Sequence, residues 1–165
     1  MKIVPYHPRY RSDFERLNRA WLEQYFTVER TDEKIFRDLD TVILEPGGEI
    51  FFAVIEGRAV GTCAMIPEGA GIYELGKMGV EQSVQGRGVG GALLDAATRW
   101  ARDRAASKIV LMSNTRLEPA IRLYRRHGFL ETTLPAHLQG AYARCDIYME
   151  LDLKPRANAM PQTRG

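Results

Sequence analysis

Apolar residues recur along this chain at two spacings, and the switches between them mark the expected elements. "KIVPY" near the start reads as a short strand. In "RSDFERLNRAWLEQYF", Phe14, Leu17, Trp21 and Tyr25 recur every three or four residues, and Ser12 and Glu15 stand at capping-box spacing. That is one face of a helix with its start signal. "TDEKIFRDL" predicts a second short helix with Thr31 as its N-cap, and "EPGGE" a turn. "EIFFAVIEGRAVGTCAM" reads as a hairpin turning at Glu56 and Gly57, followed by a "PEGAG" loop and the strand-like "IYELGKMGV".

The period then becomes helical from Gly91 to about Ala105, with Val89, Leu93, Ala96, Ala97 and Trp100 on one side. "KIVLMSN" is a continuous apolar strand, buried on both faces. "LEPAIRLYRRHG" is a helix with Pro119 in its first turn and Gly128 as C-terminal cap. "FLETT" and "ARCDIYMELDL" are the final strands. The order β-α-α-β-β-β-α-β-α-β-β predicts a mixed α/β (α+β) sheet, antiparallel at the hairpin and parallel across the later crossover. Residues 1–153 form the expected domain, and 154–165, "KPRANAMPQTRG", with little to bury, an expected frayed tail.

Composition narrows the function classes. A hydrophobic fraction of 45% and a charged fraction of 27% are ordinary for a globular chain. No apolar run approaches the roughly 20 residues that span a bilayer, and the start lacks a secretory h-region, so a cytoplasmic protein without membrane contact is the expectation. The formal charge of +2 does not describe a nucleic-acid face. Lys154, Arg156 and Arg164 lie in the tail, and the rest of the chain carries 20 basic against 21 acidic residues. Arg122, Arg125 and Arg126 complement the negative end of their helix. Cys63 and Cys145 have no C-x-x-C spacing and read as two buried thiols. His7, His127 and His137 show no metal-ligand spacing, so no metal is expected.

The remaining chemistry lies in "EQSVQGRGVGGALLDAATRWA", where Gly86, Gly88 and Gly91 satisfy G-x-G-x-x-G. A dinucleotide site needs those glycines directly after a strand and an acid at the end of the next strand. Here five residues, Glu81 to Gln85, intervene, and the next strand ends in Ser113-Asn114. Only 74 residues follow Gly91, too few to complete a doubly wound sheet. No Gly-Lys-Ser/Thr follows, which excludes a P-loop. What survives is shared physics: bare main-chain amides opening a helix can face a phosphate, with Arg87 adding charge. A purely structural turn is the competing reading.

"VEQSVQGRGVGGALL" resembles the acyl-CoA-binding segment of the GNAT superfamily of N-acetyltransferases, with Gln85, Gly88 and Gly90 filling its Gln/Arg-x-x-Gly-x-Gly/Ala pattern. "AIRLYRRHGF" resembles the family's later helix, and "YELGKMGV" its strand into the loop, with an acid eleven residues before Gln85. The resemblance covers residues 1–153 and implies a centrally splayed sheet that holds acetyl-CoA. It places the pantetheine arm between "YELGKMGV", including Met78, Gly79 and Val80, and "KIVLMSN". The diphosphate then falls on the amides of residues 85–90, that is Gln85, Gly86, Arg87, Gly88, Val89 and Gly90, with Gly91 also permitting its close approach. Asn114 is either a further ligand of the arm or a turn residue.

The implied reaction is direct attack of a primary amine, on a small molecule or a polypeptide, in a ternary complex. An amide near Val80 would face the developing oxyanion, Glu74 would be the base, and Tyr124 would protonate the thiolate. A surface-facing role for Glu74 and a core role for Tyr124 are the competing readings. Trp21, Tyr25 and Phe26 either wall the acceptor pocket or, as their helical spacing favours, pack in the core. "LPAHLQGAYARCD" should loop over the site with His137 solvated. The resemblance also allows a homodimer. Alternatives are an acyl-CoA-binding regulator without turnover, another acyl donor or a hydroxyl acceptor, and, furthest off, a dinucleotide-dependent oxidoreductase.

Overall fold

The computed structural model describes residues 1–153; the expected tail at 154–165 lies outside the described residues. Seven strands form one sheet in the order β1-β2-β3-β4-β5-β7-β6. They are β1 (Lys2–Pro5), β2 (Glu49–Ile55), β3 (Arg58–Gly69), β4 (Ile72–Val80), β5 (Lys108–Ser113), β6 (Leu130–Thr132) and β7 (Ile147–Asp152). Helices α1 (Arg11–Tyr25) and α2 (Arg30–Arg37) precede β2, while α3 (Val89–Asp103) and α4 (Glu118–Arg126) flank β5. The element order and the mixed sheet agree with the expectation. Among the described residues no helix is long and apolar enough to cross a membrane.

The period of two along each strand divides the core into two layers. Ile50, Phe52, Ala64 and Ile66 face one way, onto Phe14, Leu17 and Leu22 of α1 and Ile35 and Phe36 of α2. Phe51, Cys63, Met65, Leu75, Ile109 and Met149 face the other way, onto Leu93 and Ala97 of α3 and Ile121 and Tyr124 of α4. Fully burying one such side chain stabilises the fold by about 1.5–3 kcal/mol, so both layers hold their helices firmly.

Local signals differ in how well they predict boundaries. The β2–β3 hairpin turns at Glu56 and Gly57, both left-handed, as a two-residue hairpin requires. Gly128 closes α4 at φ +92°, letting Phe129 donate back to the Tyr124 carbonyl at 3.1 Å. The expected N-caps are not used. Helix α1 begins at Arg11 without a side-chain cap, and α2 is capped by a box between Glu29 and Asp32. Thr31 sits inside α2 and donates its hydroxyl to the Ala141 carbonyl at 3.2 Å. Residues Asp40–Leu44, to which the sequence analysis assigned no element, wind into a wider, π-type turn. The last strand starts at Ile147 rather than Ala143, because Ala143, Arg144 and Asp146 bond to α2 and to the turn after β5 instead.

Candidate active site

Strands β4 and β5 run parallel but pair only over three positions, Ile72 with Lys108, Tyr73 with Ile109 and Glu74 with Val110. Beyond Glu74, β4 stays on β3 as far as Val80, and β5 stays on β7 as far as Ser113. The sheet therefore opens as a V with Glu74 at its vertex, and the main-chain groups facing the gap have no ladder partner. A bulge holds the strands apart. The β3–β4 register slips between Thr62 and Ala64, and Lys77 takes up the extra residue at φ +49°. Gly79 lets α1 close over the widened strand, since a Cβ there would lie 2.8 Å from the Leu17 carbonyl oxygen.

The glycine turn lies at the open end. Gln85 bonds its side-chain amide to the Val80 carbonyl at 3.2 Å, tying the turn to the end of β4. Gly86 and Gly88 are left-handed at φ +77° and +80°, and Gly88 starts α3 with no side-chain cap. The first amides of α3 thus keep their donors free at the positive end of a 15-residue helix. Val89 turns its side chain into the core, leaving its amide at the turn. Gln85, Gly86 and residues 88–91 line a single cleft of about 500 Å³ together with Glu74, Met78, Gly79, Val80, Asn114 and Tyr124. Arg87 is exposed beside the cleft and does not line it.

Two titratable groups reach the gap from opposite faces of the sheet. Tyr124 comes from the α4 layer and is buried, its hydroxyl 3.9 Å from Met78 Sδ. Burial pushes its ionisation well above the ordinary tyrosine range, so it holds its proton. Glu74, half-buried, alternates with Tyr73 and Leu75 of the α3 layer and so faces the α1 and α2 side. Burial, then a hydrogen bond and charge repulsion from Glu68, push its carboxyl up to about 8, with Lys77 opposing. Asn114 is occupied by the protein: Oδ1 accepts from the Arg116 amide at 2.8 Å and Nδ2 donates to the Arg144 carbonyl at 2.6 Å. One amide hydrogen is left for a ligand.

The α1 side of the cleft is walled by Trp21, Tyr25, Phe26, Met112 and Tyr142. Against the expectation from their spacing, Trp21 and Phe26 are only half-buried and Tyr25 is 43% exposed. Leu22 and Asn18 take the buried positions of α1 instead. Behind this wall, Asp32 is fully buried and bonds Lys77 Nζ and both terminal nitrogens of Arg144, the latter at 2.7 Å each. Arg144 also reaches Glu29 at 3.0 Å, and Lys77 reaches the Tyr142 hydroxyl at 3.2 Å. Burial would raise the Asp32 carboxyl, but Arg144 and Lys77 together hold it below the usual carboxylate range, and Lys77 is lowered too. Desolvation and the neighbouring Arg144 outweigh the half-share of a carboxylate that Lys77 receives.

The model of the acetyltransferase (GNAT) family matches residues 14–129. The chain belongs to that family. Relatives agree with it. N-acetyltransferase 8F1 of Rattus norvegicus is 28% identical over 117 residues, a stretch covering 68% of this chain and 52% of that protein. This chain therefore spans about half the length of the curated relative it matches. A GNAT acetyltransferase of Staphylococcus aureus Mu50 superposes with a TM-score of 0.84 at 20% identity, covering 93% of this chain and 99% of that one. An aminoglycoside 6'-N-acetyltransferase solved with coenzyme A gives 0.72 at 17%, covering 96% and 100%. The yncA protein of Salmonella typhimurium, solved with acetyl-CoA, gives 0.72 at 18%, covering 99% of each.

As a GNAT protein, the chain brings its sequence-predicted residues together except Arg87. Sequence reasoning missed Asp32, Lys77, Tyr142, Arg144 and Arg116. One signal was available, since Lys77 is the single charge after Glu74 in an otherwise apolar strand. Asp32 looks like any first-turn acid, and Arg144 like an exposed strand residue. Cys145, read as a buried thiol, is half-buried and lines the cleft, its thiol pushed up to about 11 by burial. Cys63 is buried as expected. His137 is exposed, and His127 bridges the Leu123 carbonyl and Asp95. Among the described residues no cluster of His, Cys, Asp and Glu could hold a metal.

Proposed function

We propose that this chain transfers an acetyl group from acetyl-CoA to a primary amine by direct attack in a ternary complex. The observation that carries the reading is the V between β4 and β5, with Glu74 at its vertex on one face and Tyr124 on the other. Unpaired main chain along β4 and β5 offers an amide-rich arm the partners of an added strand. The Gln85 amide already donates to the Gln82 carbonyl at 3.3 Å, but the free amides of residues 86–91 suit a diphosphate, worth about 0.3–2 kcal/mol from the helix dipole alone.

Acetyl-CoA supplies a thioester carbonyl open to attack by an amine. The chain supplies proton transfer and charge stabilisation. Glu74 accepts the proton of the incoming ammonium, directly or through water, and its raised affinity suits exchange near neutral pH. An amide among Met78, Gly79 and Val80 faces the oxygen where negative charge develops. Tyr124 keeps its proton at Oη until the departing sulfur takes it.

Calorimetry with acetyl-CoA and with NAD, followed by a free-thiol assay across an amine panel, tests the proposal. Binding of acetyl-CoA and amine-dependent thiol release are expected. Acetyl-CoA binding with no thiol released by any amine would make the chain a regulator, and binding of NAD alone would remove the coenzyme assignment.

A further inference from the structure

Among the described residues lining the cleft, Lys77 and Arg144 are ion-paired, while Arg116 and Arg126 are not. Lys77 and Arg144 share Asp32, and Arg144 also holds Glu29. Arg116, in the turn between β5 and α4, lines the same cleft but forms no ion pair among the described residues. It is nevertheless held in place. Its Nη1 donates to the Tyr25 carbonyl at 3.4 Å, its main-chain amide is fixed by Asn114, and its guanidinium carbon stands 5.3 Å from the centre of the Phe26 ring. An exposed arginine with no function is usually free to move. This one is stacked and tethered at the rim with its charge uncompensated.

The aromatic wall argues the same way. Arg116 lies over Phe26, Arg144 over Trp21, and Lys77 and Arg144 over Tyr142. The rings that a cationic ligand would seek already carry the protein's own cations, and a second positive charge would meet like charge. Among the described residues Glu74 is the carboxyl that lines the cleft, and burial and the neighbouring Glu68 favour its protonated form. A polycation finds no free anion here, whereas an anion finds a fixed guanidinium whose planar fork suits a carboxylate.

We infer that the acceptor is a small amine that also bears a carboxylate, as a free amino acid does, and that Arg116 receives the carboxylate at the rim while the amine lies toward the β4–β5 gap. The inference rests on the transferase reading above. The apolar surface of Ile66, Met112, Phe26 and Trp21 then contacts the rest of the acceptor, which favours an apolar or aromatic body.

Matched pairs test it: L-phenylalanine against phenethylamine, and L-methionine against 3-(methylthio)propylamine, with spermidine as polycation. Thiol release is followed for wild type, Arg116→Met and Arg116→Lys, and acetyl-CoA affinity is measured by calorimetry for each. The carboxylate-bearing member of at least one pair should have a kcat/KM about tenfold or more above its partner. Arg116→Met should raise its KM about 10- to 100-fold, as loss of a charged hydrogen bond predicts. The KM of the decarboxylated amine and the acetyl-CoA affinity should stay within about twofold, and Arg116→Lys should recover part of the loss. Preference for spermidine or the decarboxylated amines, or weakened acetyl-CoA binding as the main effect of Arg116→Met, would overturn the inference while leaving the transferase reading standing. Absence of thiol release with every amine would defeat that reading and this inference with it.

Discussion

Arg144 grips the buried carboxylate of Asp32 with two parallel bonds of 2.7 Å, joining residues 112 positions apart in the chain. Through this pair the segment before β7 is fastened to α2, and through Lys77 the same carboxylate reaches the bulge of β4. The three elements behind the acceptor wall therefore share a single anion. Removing it strands Lys77 with little water around it and leaves Arg144 with Glu29 as its remaining carboxylate.

Asp32→Asn is accordingly expected to destabilise the fold by about 3–5 kcal/mol, the usual consequence of breaking a buried pair from one side. For a domain of this size that corresponds to a fall in Tm on the order of 10 °C. The sign with pH follows from the lowered carboxyl of Asp32. A depressed carboxylate contributes stability above its unfolded value near pH 4, and that contribution disappears as pH falls through the folded value. Thermal melts of wild type and variant should converge toward low pH. An unchanged gap between them down to pH 2 would show that Asp32 is not the anion of the cluster.

The raised carboxyl of Glu74 has the opposite linkage. Its folded value, about 8, lies above the unfolded value near 4.3. Between these limits the folded chain holds a proton that the unfolded chain has released, so Glu74 lowers stability progressively as pH rises from about 4 to 8. Glu74→Gln should therefore raise Tm, with the gain growing across that window and levelling above it. As a base, Glu74 acts when deprotonated, so kcat should rise with pH through an apparent value near 8. The variant should lose this limb and about 10²–10⁴ in rate. Glu68→Gln, on an exposed residue, removes one source of the upward shift and should move the limb to lower pH. A rate limb that stays unmoved in both variants would assign it to the amine itself.

Much of the site was legible beforehand because local backbone demands leave marks in composition. Glycines at 86 and 88 announce a left-handed turn before a helix, and Gly128 announces the end of one. The V itself left a weaker mark. Nothing in "YELGKMGV" states that β4 leaves β5 after Glu74, since the bulge at Lys77 depends on how Cys63 is faced across the ladder. The charge cluster behind the acceptor wall was illegible for a different reason. Asp32, Lys77 and Arg144 lie on three elements far apart in sequence, and only tertiary packing brings their charges together. Trp21 and Tyr25 fit a helical stripe, but the stripe that is buried is rotated toward Leu22 and Asn18, leaving the rings to face the cleft.

The glycine turn separates binding from folding. Gly88→Ala adds a Cβ that meets no atom within 4 Å, so its effect comes from forcing alanine to φ +80°. That strain is worth about 1 kcal/mol and should lower Tm by only a few degrees. If the amides of this turn hold the diphosphate, the same substitution should weaken acetyl-CoA binding about tenfold or more by displacing them. Gly79→Ala should do the reverse. Its Cβ would sit 2.8 Å from the Leu17 carbonyl and 3.0 Å from Trp21 Cδ1, so α1 must retreat. Stability should fall by about 1–3 kcal/mol. Calorimetry and melts on both variants give the comparison, and equal losses of affinity at matched stability would place the diphosphate elsewhere.

Tyr124 offers the cleanest separation of chemistry from structure. Among the described residues its hydroxyl meets only Met78 Sδ, at 3.9 Å, a weak contact whose loss should change Tm by about a degree or less. The ring itself packs against Phe129, with centroids 5.9 Å apart, and phenylalanine preserves that contact. Tyr124→Phe should therefore fold normally and bind acetyl-CoA within about twofold of wild type. If the hydroxyl delivers the proton to the departing thiolate, kcat should fall about 10²–10⁴-fold. The loss should shrink for an acyl donor whose thiol is more acidic, because a better leaving group needs less help. Equal losses for donors of different thiol acidity would make Tyr124 a wall of the cleft rather than its acid.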